Sequence, residues 1–343
     1  MKPSLKDISK ALGLSTAAVS KALNDYPDIS KATKKRVKSY AKKMGYQPNV
    51  QATFLRTQKT KTVGVIIPNA TNPFFASILE GMMNQAQKKN YLVLVGHSKE
   101  SQTLEKALVS RFLQQKVDGI FLSLAQDTSN YDHLEEVINS KTNLILFDKV
   151  AKVINCSKVF VDDKNGAFQA TTHLINKGCT KIAHFRGELN PQNSIDRFLG
   201  YRKALANHKI SYDPKKVLIS RKGSMDEGYQ LAKKLHQSGI EIDGLFCVTD
   251  MLALGAIRFY KEQKVEVPNA ISVIGFSNTM VGELTYPSLS TIDQKAIQMG
   301  KKVMKLFLSE QRHEKDEKNP EYQSIMLKTK LLQRESTARS IIN

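Results

Sequence analysis

At 343 residues, with 41% hydrophobic and 24% charged side chains, the chain is long enough for more than one folded domain and too apolar for a wholly disordered one. Its three cysteines offer neither a disulfide framework nor metal-ligand spacing, no apolar run is long enough to cross a bilayer, and no leader-like segment opens the sequence, so a reducing, cytoplasmic setting without a membrane partner is expected. The net charge of +20 is unevenly placed: residues 1–62 hold fourteen Lys and Arg against three Asp and no Glu, a net +11. A basic excess confined to one small segment is the electrostatic footprint of phosphate binding.

Ser4 to Asn24 reads as two short helices joined by a tight turn, the pattern of a helix-turn-helix whose second helix enters the DNA major groove. Ser4 is an N-cap candidate, and Asp7 completes a weaker form of the capping box. Ile8 and Leu12 lie one turn apart, and Val19 and Leu23 repeat that spacing. Gly13 stops the first helix because glycine takes the left-handed conformation without steric penalty. Ser15 caps the second helix, and the small Ala11 is expected to let the two helices approach closely. Ser30 opens a third helix running through Val37, Ala41 and Met44 to Gly45. Pro48 breaks the pattern, and Asn49 to Leu55 is too short to be a stable helix alone in water. Thr57 to Thr62 is a polar, basic linker.

From Val63 onward, continuous apolar runs alternate with helical stretches. The runs are Val63–Pro68, Tyr91–Gly96, Gly119–Leu124, Leu144–Phe147, Val159–Val161, Ile182–Phe185, Val217–Ile219, Leu245–Val248 and Ile271–Phe276. Continuous rather than alternating runs imply parallel sheets covered by helices on both faces. About 280 residues is too many for one such sheet, so two lobes are expected, with a cleft beyond the carboxyl ends of the strands. Residues 309–323, dense in charge from Glu310 onward, read as a solvated loop.

The spacing Leu5-x-Asp7-Ile8-(x5)-Leu14-Ser15-(x3)-Val19-Ser20-x-Ala22-Leu23-Asn24, followed by Gly45-Tyr46-x-Pro48-Asn49-(x2)-Ala52-(x2)-Leu55, resembles the signature of the lactose-repressor/galactose-repressor family of bacterial transcription regulators. The resemblance extends over nearly the whole chain. It implies an α/β fold: a two-lobed, periplasmic-binding-protein-like core of parallel sheets behind an all-α helix-turn-helix domain. The expected division is a DNA-binding domain at 1–47, a hinge helix and linker at 48–61, and an effector-binding and dimerisation core at 62–343. The implied topology crosses between lobes three times, near Val161–Asp162, over Ser288–Ile292 and before Tyr322, with Tyr322 to Leu332 returning to the second lobe. Lobe 1 is then about 62–161 and 292–321, and lobe 2 about 162–291 and 322–343.

The resemblance also implies roles. Thr16, Ala17 and Lys21 fall at recognition-helix positions that face base edges, and Lys21 stands where arginine is common, without arginine's bidentate fork. Ser15, Ser20 and Asn24 read as phosphate-positioning donors. Asn49, Ala52 and Leu55 fall in the hinge motif, with Leu55 as a minor-groove wedge at the centre of a palindrome. In the core, Arg197 matches the family's effector-contacting arginine. Phe74, Phe75, Asp148, Asp250 and Gln294 lie at strand ends that should line the cleft, a mixture suited to a hydroxyl-rich ligand. The bland alternatives are core packing for the two phenylalanines and helix capping for the two aspartates. One departure stands out: the family usually carries aspartate where this chain has Ser277, within Gly275-Phe276-Ser277-Asn278. Losing that fixed negative charge admits a ligand with an acidic group, a sugar acid.

No phosphate-binding Gly-x-x-x-x-Gly-Lys-Ser/Thr loop, Gly-x-Ser-x-Gly elbow or His-Glu-x-x-His motif is present, and Ser224-Met225-Asp226-Glu227 reads as a capping box. The expectation is therefore a non-enzymatic regulator without cofactor or metal. It would bind a palindromic double-stranded DNA operator as a homodimer and repress carbohydrate-related genes under a sugar or sugar-derived effector. Two alternatives stand: a core read by a partner protein, which a basic surface on the first lobe would favour, and a weakly specific architectural DNA-binding protein.

Overall fold

The computed structural model describes residues 3–46, 59–313 and 322–339. The chain divides into two compact units, Met1–Thr60 and Lys61–Asn343.

In the first unit, α1 (Leu5–Leu12), α2 (Thr16–Leu23) and α3 (Lys31–Lys43) enclose Ile8, Val19, Ala22, Val37 and Ala41. The caps follow the sequence closely. Ser4 and Asp7 form a full capping box, Gly13 takes φ 63°, and the Ser15 and Ser30 hydroxyls accept from the third residue beyond them. Ala11 is a correction: it is exposed, and the small residues buried between the helices are Ala22 and Ala41. Ala11 lies only three positions from Ile8, but it falls on the far side of the strip that Ile8 and Leu12 define.

The second unit holds two sheets. In chain order the strands are β1 (Thr62–Ile67), β2 (Leu92–His97), β3 (Gly119–Leu122), β4 (Asn143–Phe147), β5 (Ser157–Val161), β6 (Ile182–Arg186), β7 (Val217–Ile219), β8 (Gly244–Cys247), β9 (Ser272–Ser277), β10 (Ser290–Asp293), β11 (Ser324–Leu327) and β12 (Lys330–Leu332). The first sheet runs β11-β5-β4-β3-β1-β2 and is parallel throughout. The second runs β12-β10-β9-β8-β6-β7, parallel except for β12.

Helices cover both sheets: α4 (Pro73–Gln87), α5 (Gln102–Gln114), α6 (Asp132–Asn139), α7 (Asp163–Asn176), α8 (Gln192–Asn207), α9 (Met225–Gln237), α10 (Asp250–Glu262), the short α11 (Met280–Leu284) and α12 (Ala296–His313). The first-lobe core joins Phe121, Phe147 and Phe307, with Tyr91 and Phe121 each set edge-to-face on Phe307 at 5.3 Å between ring centres. Each such buried aromatic contributes about 1.5–3 kcal/mol by leaving water. Where α4 meets α12 the backbones nearly touch at Gly81 and Gly300, since a Cβ on either would strike the partner helix's carbonyl.

The lobe crossings differ from expectation at two of three places. The first follows β5 at Asp162, as expected. Ser288–Ile292 is not a crossing, because Ser290–Asp293 forms β10, with Ser290 to Ile292 fully buried between β9 and β12. The chain leaves only after Asp293. The third crossing lies between β11 and β12, not before Tyr322. Ser324–Leu327 pairs in parallel with β5 in the first lobe, where Ile325 and Leu327 pack on the first core, whereas Leu331 packs on the second. The expected loop from residue 309 is helical to His313. Glu310 is buried there, accepting from Asn143 Nδ2 at 2.7 Å and from Ser157 Oγ.

Candidate effector cleft and DNA-recognition helix

The carboxyl ends of both sheets open on a cleft with about 710 Å³ of empty space, its solvent-facing mouth included. On the first lobe, Asn72 caps α4 by accepting from the Phe74 N–H, and Pro73 follows at the first turn. That turn presents Phe74 and Phe75 to the cleft edge-to-face at 5.3 Å, while both also belong to the first-lobe core. Both residues therefore line the cleft and pack in the core at once. Asp148 follows β4 with φ 56°, buried, and lines the cleft without capping a helix. Burial pushes its carboxyl above the ordinary range, against the opposing pull of Arg197 and Lys149.

Arg197 is the best-anchored residue of the second lobe's face. Its Nε donates to Asp163 Oδ1 at 2.7 Å, Nη1 to the Val248 carbonyl at 2.7 Å and Nη2 to Gln294 Oε1 at 3.1 Å, while its plane lies 3.9 Å from the Phe276 ring centre. Gln294 passes the chain on, donating from Nε2 to Ser277 Oγ at 3.2 Å, and the Ser277 hydroxyl bonds the Phe276 carbonyl. Asp163 had no sequence signal beyond its place at the start of a helix. Burial pushes its carboxyl up to about 7 although the Arg197 guanidinium beside it pulls down.

Asp250 does not line the cleft. Its carboxylate is buried beneath it, accepting from Thr291 Oγ1 at 2.5 Å and from the Thr279 N–H at 2.7 Å and hydroxyl at 3.1 Å. Gly275 leaves room for it, as a Cβ there would strike Asp250 Oδ1. The cleft position belongs to Thr249, which also caps α10. Ser224 caps α9, but Glu227 does not close a capping box: its carboxylate turns to the loop at 220–223. Asn72, the cap of α4, also lines the cleft, as do Asn69, Glu100, Gln126, Lys149 and Lys222, which were not singled out from sequence. They sit on loops after strands, where residue type alone carries no directional signal.

On the first unit, Thr16 and Ala17 are exposed and Ser20 is half-buried on α2. Lys21 Nζ lies 2.5 Å from Asp28 Oδ2, an exposed ion pair that sequence reading did not anticipate. Asn24 Nδ2 donates to the Ser20 carbonyl at 2.7 Å, and the Ser15 hydroxyl accepts from the Ala18 N–H. Asn49, Ala52 and Leu55 lie outside the described residues. Among the described residues, no group of three or more His, Cys, Asp or Glu could hold a metal ion, and no helix is long and apolar enough to cross a membrane.

Residues 4–49 match the family described as bacterial regulatory proteins, lacI family, and residues 60–334 match periplasmic binding proteins and the sugar binding domain of the LacI family. The chain belongs to the LacI family. This LacI-family chain is 30% identical to the HTH-type transcriptional regulator RegA of Clostridium saccharobutylicum, over 98% of this chain and all of that one. It is 29% identical to catabolite control protein A of Priestia megaterium, over 90% of this chain and 92% of that one. Its fold resembles the Lac repressor dimer bound to operator and anti-inducer, with a TM-score of 0.85 at 22% identity over 98% of this chain and 99% of that one. A LacI family regulator from Enterococcus faecium with bound ribose gives a TM-score of 0.70 at 28% identity, over 81% of this chain and 98% of that one. As a LacI-family member the chain is a helix-turn-helix, DNA-binding transcription regulator with a small-molecule-binding core.

Proposed function

We propose that the chain is a cytoplasmic repressor of carbohydrate-related genes, catalysing no reaction, that binds a palindromic operator as a homodimer and responds to a sugar or sugar acid in the interlobe cleft. The observation that carries this reading is the Arg197 network: a guanidinium held by three partners at the cleft wall, with donors to spare, facing Asp148 across the lobes. Acids and bases lining the cleft balance, with Glu100, Asp148 and Glu188 against Lys149, Arg197 and Lys222, which suits a neutral or singly acidic polyol. Thermal unfolding of the full chain with a panel of sugars, sugar acids and purines tests it: one class should raise the transition by mass action, and no shift across the panel removes the small-molecule reading. Ser277→Asp separates the two ligand classes, since stronger sugar-acid binding in that variant defeats the sugar-acid assignment.

For DNA, Thr16, Ala17 and Lys21 contact base edges, while Ser15, Ser20 and Asn24 position phosphates. Asn49 and Ala52 bind DNA from the same hinge motif as the Leu55 wedge. Leu55→Ala should weaken specific binding and spare nonspecific binding, and affinity should fall steeply with salt. A specificity ratio near one would favour the architectural alternative.

A second reading has its own support. Two adjoining grooves between α4 and α12 on the first lobe carry Lys88, Lys89, Lys301 and Lys305 with no acidic side chain in either lining. This is the basic first-lobe surface that favours control by an anionic partner protein. Capture of such a partner by the wild-type chain, lost in K301Q/K305Q, would support it.

A further inference from the structure

Gln126 stands in the first lobe on the loop after β3, and its position is fixed from behind. Its backbone N–H donates to Glu100 Oε2 at 2.8 Å, and Lys149 Nζ reaches the same oxygen at 2.5 Å. With its amide turned so that both ends are satisfied, Gln126 Nε2 donates to the Arg221 carbonyl at 3.0 Å and Oε1 accepts from the Glu188 N–H at 3.3 Å. Both partners belong to the second lobe, on the loops after β7 and β6.

The receiving loop is fixed too. The Glu227 carboxylate accepts from Ser220 Oγ at 2.6 Å and from the backbone N–H groups of Arg221, Lys222 and Gly223 at 2.7, 2.8 and 3.0 Å. Burial alone would raise the Glu227 carboxyl, but these four donors hold it below its ordinary value. Each lobe therefore commits one carboxylate to hold one side of the bridge. The only pair that spans the lobes among the described ion pairs, Lys152 to Asp196, is a loose 4.0 Å and mostly exposed on the lysine side, too weak to hold the lobes in place of the bridge.

We propose that Gln126 is a clasp that holds the lobes closed without any ligand, so that a ligand enters only when the Gln126 amide lets go of Arg221 and Glu188. This rests on the cleft being the effector site but not on which ligand it takes. The unclasped fraction then scales the apparent affinity of every effector, so weakening the clasp raises affinity for all cleft ligands alike.

Ser194 supplies a reporter. It lines the cleft, is 6% exposed, and its hydroxyl has no hydrogen-bond partner among the described residues, so Ser194→Cys sacrifices no bond. The three native cysteines are buried. The full chain carrying S194C, without ligand or DNA, is reacted with a colorimetric disulfide reagent. Slow modification is expected, accelerated about tenfold by adding Q126A, in keeping with the loss of two ordinary hydrogen bonds. Q126N, one methylene too short to reach, should match Q126A. Q126A alone should label no faster than wild type, which separates opening from unfolding. Hydrogen exchange of the Glu188 amide, faster in Q126A, reads the same event without an introduced cysteine. Equal labelling rates in S194C and Q126A/S194C, or labelling of S194C as fast as in the denatured chain, overturns the clasp. A failed ligand screen leaves these rates unchanged, so the two readings fail separately.

Discussion

The two lobes repeat one strand order, with β1 to β5 of the first matching β6 to β10 of the second, yet they equip the cleft differently. Where the first lobe begins its helix after β1 with Phe74 and Phe75, the second begins its helix after β6 with Ser194 and Arg197. At the end of the fourth strand the first lobe has the carboxyl of Asp148, and the second has the hydroxyl of Ser277. The first lobe thus offers an apolar face made from its own core. The second offers a buried polar network in which Asp163, Arg197, Gln294 and Ser277 hold one another. A duplicated scaffold can therefore divide recognition between stacking and directed hydrogen bonds without changing its topology.

Arg197→Ala should break the contrast most severely. It leaves Asp163 buried beside no cation, and a loss of about 3–5 kcal/mol is expected in urea unfolding. A loss below about 1 kcal/mol would mean that the network is not structural. Next comes pH. The folded-state Asp163 carboxyl is pushed up to about 7 from an ordinary 3.8, so between these values the folded chain keeps a proton that the unfolded chain releases. Stability should therefore fall as pH rises from about 4 to about 7, with Asp148 acting in the same direction. Thermal denaturation of Asp163→Asn across that range should show a flatter profile, and an unchanged slope would contradict the assignment.

Ser277→Asp makes the two lobes alike by placing a carboxylate at both strand ends. Burying it should cost about 1–3 kcal/mol at neutral pH and less in acid. A more stable variant would indicate that a cation is free to meet it. The smallest effect is expected for Phe75→Leu, about 1 kcal/mol by equilibrium unfolding. Its ligand response should fall more than its stability, and proportional losses would reduce Phe75 to core packing.

The helix-turn-helix was legible because its signals are local: Ser4, Gly13, Ser15 and Ser30 each act within one turn. Strands β1 to β9 were legible as continuous apolar runs, whereas β10 lay in a stretch read as a crossing between lobes. Partner choice was not legible. Ser324–Leu327 and Lys330–Leu332 are both short, and the sheet each joins is decided by a strand far off in sequence: β5, which pairs Lys158 with Ser324, for the first and β10, which pairs Asp293 with Lys330, for the second. In the cleft, Arg197 was readable from its motif, but Asp163, Thr249 and Gln126 were not, since each gains its role from a loop of distant sequence. Asp250 misled for the same reason. Thr279 and Thr291 turn its carboxylate away from the ligand space.

All three chain passages between the lobes leave from one border of the sheets, where β5 neighbours β11 and β10 neighbours β12. A single tether would act as a swivel and let the lobes wander in orientation. Three tethers set side by side act as the pins of a door, leaving one soft direction of travel and resisting twist. Any event that parts or joins the faces must then run along that one coordinate. Recognition in the cleft is in this way rectified into a repeatable mechanical stroke.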